Sequence, residues 1–151
     1  MTQLLTVNDL MTVDPETVTP DTPLREVLTK LREDNCRQLP VLNSHGQLVG
    51  IITDRDVRLA MNSPLILRER WQDEALLDNM SAASCMTANP ITVSPDTPAY
   101  IAAEMLSTYK YGALPVVDQE TLVGIITVTD ILEEFISTEK PKSVVGAVVD
   151  R

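Results

Sequence analysis

Leu24, Val27, Leu28 and Leu31 follow one another at i, i+3, i+4 and i+7, which gathers them on one face of a helix. The pattern then changes. Leu39 to Leu42 and Leu48 to Ile52 are short apolar runs on either side of Ser44-His45-Gly46, and they read as two strands joined by a tight turn. Upstream, Glu16 to Thr19 is a short β-branched run and reads as a first strand. Thr22-Pro23 opens the helix as an N-cap with proline at the first helical position, where its missing N–H costs nothing. Past Ile52 a second helix begins near Thr53 and turns Val57, Ala60 and Met61 inward. The predicted order is strand, helix, strand, strand, helix.

The same text then returns. Met11-Thr12-x-x-Pro15-x-Thr17-Val18-x-Pro20-Asp21-Thr22-Pro23 recurs as Met86-Thr87-x-x-Pro90-x-Thr92-Val93-x-Pro95-Asp96-Thr97-Pro98. Leu39-Pro40-Val41 recurs as Leu114-Pro115-Val116, and Leu48-Val49-Gly50-Ile51-Ile52-Thr53-x-x-Asp56 as Leu122-Val123-Gly124-Ile125-Ile126-Thr127-x-x-Asp130. The chain is a tandem duplication. In the second copy Thr97-Pro98 opens a helix with Ala99, Ala102, Ala103 and Leu106 inward. The last helix is expected to bury Ile131, Leu132, Phe135 and Ile136. The predicted division is residues 5–62, a helical joint over 63–80, residues 81–137, and a tail over 138–151. In the joint, Ser63-Pro64 starts a helix reaching Asn79 that carries Trp71. In the tail, Val144-Val145 and Val148-Val149 suit a strand.

At 151 residues each half alone is marginal, so the halves should pack together and share one core. Hydrophobic residues are 44% and aromatic ones only 3%, so that core must be aliphatic. The net charge of −10 argues against nucleic acid and against an anionic membrane surface, while leaving room for a local basic cluster around one small anion. No apolar run approaches the roughly 20 residues of a membrane span, and the N-terminus lacks a secretion signal. Cys36 and Cys85 form no C-x-x-C and read as reduced thiols of a cytoplasmic protein.

Catalysis finds little support. His45, the one histidine, sits in a turn without a framework of neighbours. Asp54 and Asp56 fall at a helix start, where the helix dipole alone favours acids. No phosphate-binding glycine loop occurs. The informative motif is Gly-Ile-Ile-Thr-x-x-Asp, present twice. Its glycine permits close approach of another backbone, its isoleucines bury a strand, and its threonine and aspartate emerge together at a helix start. There the aspartate suits paired ribose hydroxyls, and the helix N-terminus with a threonine suits a phosphate. As isolated tetrads, Thr53-x-x-Asp56 and Thr127-x-x-Asp130 read first as capping boxes. Their duplication favours two equivalent clefts.

These motifs together resemble a tandem pair of cystathionine-β-synthase (CBS) domains, a Bateman module, over about residues 5 to 137. The stand-alone bacterial CBS-pair proteins, including those of the acetoin-utilisation type, are the nearest likeness. The resemblance implies an α/β (α+β) fold of two βαββα repeats packed through their sheets with pseudo-twofold symmetry, and a disc-like homodimer. It further implies adenosine-containing ligands in two clefts between the repeats. Asp56 and Asp130 would hold ribose, and Thr53 and Thr127 would contact ribose or phosphate. Thr17, Val18, Leu39, Thr92, Val93 and Leu114 would pack the adenine, and Ile52 and Ile126 are further ligand-binding candidates.

The two copies differ in charge. Arg37, Arg55 and Arg58 are candidate phosphate ligands, and Lys110 is a weaker one, so the cleft nearest Arg37 and Arg55 is expected to prefer more phosphates. The implied function is a non-catalytic sensor of an adenine nucleotide, with or without magnesium, that has no obligatory cofactor and signals by shape or through a separate protein. A ligand-free dimerisation module is the alternative.

Overall fold

The computed structural model describes residues 4–34, 36–61 and 70–141, apart from the side chains of Arg70 and Trp71. The expected helix start at Ser63-Pro64, the Trp71 side chain and the tail strand lie outside what is described.

Helix α1 (Val7–Leu10) and strand β1 (Thr12–Val13) lead into α2 (Leu24–Glu33), β2 (Gln38–Leu42), β3 (Leu48–Thr53) and α3 (Asp54–Met61). After α4 (Arg70–Asn79) the order repeats as α5 (Ala82–Cys85), β4 (Thr87–Ala88), α6 (Ala99–Tyr109), β5 (Ala113–Asp118), β6 (Thr121–Thr127) and α7 (Val128–Glu139). The fold is mixed α/β, with two three-stranded antiparallel sheets ordered β1-β6-β5 and β2-β3-β4.

Those sheets are built from both repeats. β1 precedes the first repeat's helix but pairs with β6 of the second, Thr12 opposite Ile125 and Val13 opposite Gly124. β4 does the reverse, setting Ala88 opposite Gly50 and Thr87 opposite Ile51. The short helices travel with these strands. Val7 of α1 is buried in the second half's core with Val93, Ala102, Leu106, Leu114, Val116 and Ile126. Ala82 of α5 is buried in the first half's core with Val18, Leu24, Val27, Leu31, Leu39, Val41, Ile52 and Val57. The shared core expected from the sequence is therefore two separate aliphatic clusters, each completed by a segment of the other half.

Backbone bonds fix the exchange. Leu24 N–H donates to the Met80 carbonyl at 2.9 Å and Ala82 N–H to that of Thr22 at 2.8 Å. Ala99 N–H donates to the Leu5 carbonyl and Val7 N–H to that of Thr97, both at 2.8 Å. The first amides of α2 and α6, which have no partner within the helix, are thus satisfied by the incoming segments. Pro23 and Pro98 take the N-cap positions. Thr22, predicted as the cap, instead accepts from Thr19 N–H at 3.0 Å, and Thr97 accepts from Ser94 N–H at 3.1 Å. The predicted strand at Glu16 to Thr19 is a single parallel bridge from Val18 to Val41, mirrored by Val93 to Val116.

The motif glycines set the spacing. A Cβ on Gly124 would lie 2.6 Å from the Met11 sulfur and 2.8 Å from the Thr12 carbonyl oxygen. One on Gly50 would overlap the Met86 side chain and come within 3.0 Å of the Thr87 carbonyl. Each glycine is therefore the seat of the exchanged Met-Thr dipeptide.

The last helix departs from expectation. Ile131 packs against the second core, but Leu132, Phe135 and Ile136 are 54%, 62% and 57% exposed. On the opposite flank, α2 and α4 are joined by Arg25, whose guanidinium pairs with Glu74 and donates to Asp78 at 2.6 Å. These two acids hold its pKa above the ordinary arginine value, the Asp78 hydrogen bond contributing most.

Replacing Gly124 by alanine should lower the stability of the folded chain by about 1–3 kcal/mol, the usual range for overpacking. Urea unfolding measures it. A variant as stable as the parent would mean that the strand approach at Gly124 is not tight.

Candidate functional site

Both Thr-x-x-Asp motifs are capping boxes in the folded chain. Asp56 N–H donates to Thr53 Oγ1 at 3.0 Å, and Thr53 N–H donates to Asp56 Oδ2 at 2.9 Å. Thr127 and Asp130 repeat these bonds at the same distances. The cap uses only one carboxylate oxygen. Among the described residues Oδ1 of Asp56 and of Asp130 makes no hydrogen bond, so capping and ligand binding are compatible in one side chain.

Asp56 faces a cleft of about 650 Å³ between the halves. One wall is the start of β2 (Arg37, Gln38), the end of β3 (Ile51, Thr53) and the first turns of α3 (Asp54, Arg55, Asp56, Arg58). The other wall is the exchanged strand and the residues after it (Thr87 to Ile91), with the loop into β5 (Lys110 to Ala113) and Pro115. The exchange of β4 is what brings the second repeat's chain alongside Ile51 and Thr53. Lys110 is held in the left-handed region (φ 62°) as it closes α6, and Tyr111 beside it stacks on Tyr109 with ring centroids 5.6 Å apart.

Of the residues singled out in the sequence, Arg37, Thr53, Arg55, Asp56 and Lys110 meet in this cleft, and Arg58 joins them. Thr127 and Asp130 occupy the twofold-related position. Val18, Leu39 and Ile52 lie buried in the first core and Val93, Leu114 and Ile126 in the second, and none of the six lines the cleft. Half-buried Thr17 and exposed Thr92 are not on its wall either. The reason is strand alternation. With Thr53 facing the cleft, Ile51 faces it too and Ile52 must point to the core. The same parity selects Gln38 over Leu39. Parity was legible in the sequence. The segment Thr87 to Ile91 was not, because its place depends on the exchange.

The cleft is mixed in charge. Arg37, Arg55, Arg58 and Lys110 stand against Asp54 and Asp56. Arg58 pairs with Asp54 at 3.4 Å on the surface, a contact weak enough to be re-formed around an anion. No group of three or more His, Cys, Asp or Glu residues that could hold a metal occurs among the described residues. Cys36 and Cys85 are both free. Burial pushes both thiols up from the ordinary cysteine value, helped by the charge of Asp34 at Cys36 and of Asp56 at Cys85.

A duplicated α/β pair with exchanged strands and a nucleotide-sized cleft between its halves defines the class. The sequence model of the CBS domain matches residues 7–63 and 82–137. The chain belongs to the CBS domain family. It is 35% identical over 136 residues to a CBS domain-containing protein of Dictyostelium discoideum, covering 89% of this chain and 94% of that one. Among solved structures it is similar to CBSX2 in complex with AMP (TM-score 0.76, 26% identity, 90% of this chain and 99% of that one). It is equally similar to the CBS pair of MJ0100 in complex with 5′-methylthioadenosine and S-adenosyl-L-methionine (TM-score 0.76, 29% identity, 91% and 100%). An acetoin utilization protein of Vibrio cholerae follows (TM-score 0.75, 25% identity, 90% and 93%). Other relatives are enzymes that contain the pair as a small part: the match to inosine-5′-monophosphate dehydrogenase of Bifidobacterium longum, at 34% identity, covers 21% of that protein.

Because their thiolate forms are disfavoured, both cysteines should be alkylated more slowly at pH 7 than a free thiol. Timed labelling with a chromogenic thiol reagent reads this. A rate equal to that of free cysteine would show that burial does not protect them.

Proposed function

We propose that this chain is a regulatory module that binds an adenosine-containing nucleotide in the cleft at Asp56 and passes the event on through a change of shape or of partner. The observation that carries the reading is the uncommitted Oδ1 of Asp56. Asp56 lines a cleft that also holds arginine and lysine side chains. A carboxylate oxygen accepts from ribose hydroxyls, and guanidinium groups donate in pairs to phosphate. The complexes of CBSX2 with AMP and of MJ0100 with adenosyl compounds support the same ligand class. Asp130 takes the corresponding role at the second position. The cleft has walls from both repeats, so a bound nucleotide bridges them and biases their mutual setting. The module has no catalytic role and requires no resident cofactor. We place it in the cytosol, where two unpaired thiols stay reduced.

The exposed stripe of Val128, Leu132, Phe135 and Ile136 on α7 favours homodimerisation as part of this function. It is also the observation on which a purely dimerising, ligand-free role would rest.

Thermal unfolding against adenosine-containing compounds, with and without magnesium, tests the proposal. A ligand at about 100 times its Kd adds roughly 2.7 kcal/mol. That gain should fall in Asp56→Asn, where a side-chain oxygen for the cap survives and the second carboxylate oxygen does not, and should vanish when Asp130→Asn is added. No shift with any compound leaves the dimerising role as the better account. Phe135→Asp should separately turn the dimer into a monomer on a sizing column, and an unchanged dimer would remove α7 from the interface.

A further inference from the structure

We propose that the Asp56 cleft selects a nucleoside carrying two or more phosphates, and that of the two related positions, Asp56 and Asp130, it is the one that accepts such an anion. This deepens the nucleotide reading and rests on it.

The pseudo-twofold relation makes the comparison residue by residue. β1 lies along β6 as β4 lies along β3. Asp14 N–H donates to the Val123 carbonyl at 3.4 Å and Asn89 N–H to that of Val49 at 3.1 Å, and both residues have positive φ, 48° and 50°. Asp14 therefore stands toward Asp130 as Asn89 stands toward Asp56. By the same mapping Arg55 and Arg58 correspond to Thr129 and Leu132, and Ile91 corresponds to Glu16. Lys110 corresponds in sequence to Asn35. Arg37 and Gly112 are equivalent in the two copies and both line the Asp56 cleft, so the twofold relation sets the same pair beside Asp130 and Arg37 does not distinguish the two positions.

The charge contrast follows. At Asp56, three cations (Arg55, Arg58, Lys110) face two acids (Asp54, Asp56). At Asp130, the residues in the corresponding places bring Asp130, Asp14 and Glu16; Glu16 is paired with Lys30 at 3.5 Å, and Arg37 is common to both positions. The whole chain carries −10, so a locally positive cleft is a departure that an anionic ligand would use. A single phosphate needs fewer donors than Arg37, Arg55, Arg58 and Lys110 provide together. A phosphate chain can engage two or three of them, and Asp54 can release Arg58 to it at little cost. At the Asp130 position the same phosphates would meet three carboxylates and lack the counterparts of Arg55, Arg58 and Lys110.

The test is calorimetric titration of the full chain with ATP, ADP, AMP, adenosine and inorganic triphosphate, repeated at raised salt. ATP should bind about 100-fold tighter than adenosine, on the order of two charge-assisted contacts, with one ATP per chain and an affinity that falls with salt. Arg55→Leu combined with Lys110→Leu should weaken ATP at least about 10-fold and cut its advantage over adenosine by a similar factor. Both side chains are exposed, so thermal unfolding should be little altered. AMP or adenosine binding as tightly as ATP, or two ATP per chain, would overturn this inference and leave the nucleotide reading standing. Triphosphate binding as tightly as ATP, with adenosine inert, would overturn the nucleotide reading. Silence from all five compounds would overturn both.

Discussion

The carbonyl of Thr87 lies beside the place a side chain on Gly50 would fill, and that of Thr12 crowds the same place on Gly124. A Cβ on Gly124 would force the Thr12 carbonyl to shift and one on Gly50 would press that of Thr87, and both contacts join one repeat to the other. From this approach follow the exchanged strands, the burial of Val7 and Ala82 in opposite cores, and the donation of the first α2 and α6 amides to incoming carbonyls. A half of this size could not close its own core. Lending its first segment to its neighbour is how the duplication makes two small cores hold.

The cleft is a consequence of that exchange. β4 runs beside β3, so the chain leaving it, Asn89 to Ile91, passes opposite the start of α3. The Thr53–Asp56 cap then has two duties that do not compete. One carboxylate oxygen holds the helix start and the other makes no hydrogen bond among the described residues, in a side chain that lines the cleft between the repeats. The position of the Asp56 carboxylate is thus set by an ordinary helix cap.

Much of this was legible in the residues. The duplicated blocks predicted two similar halves, the Gly-Ile-Ile glycine a close backbone approach, and Thr-x-x-Asp a capped helix start, because each depends on local spacing. What was not legible depends on partners distant in sequence. Thr12–Val13 and Thr87–Ala88 carry no strand pattern of their own and become strands only against the other repeat. Thr22 looked like a cap but turns back to Thr19 because Met80 already satisfies the Leu24 amide. Leu132, Phe135 and Ile136 have the periodicity of a buried face, and periodicity does not say whether the burying surface belongs to the same chain.

The central claim, that a nucleotide binds between the repeats at Asp56, is most directly tested by amide chemical-shift mapping while ATP is added to the isotopically labelled chain. The account predicts the largest changes at Thr53 to Arg58 and, across the cleft, at Asn89 and at Lys110 to Gly112. Changes confined to one wall, or centred on α7 with these amides unmoved, would contradict it.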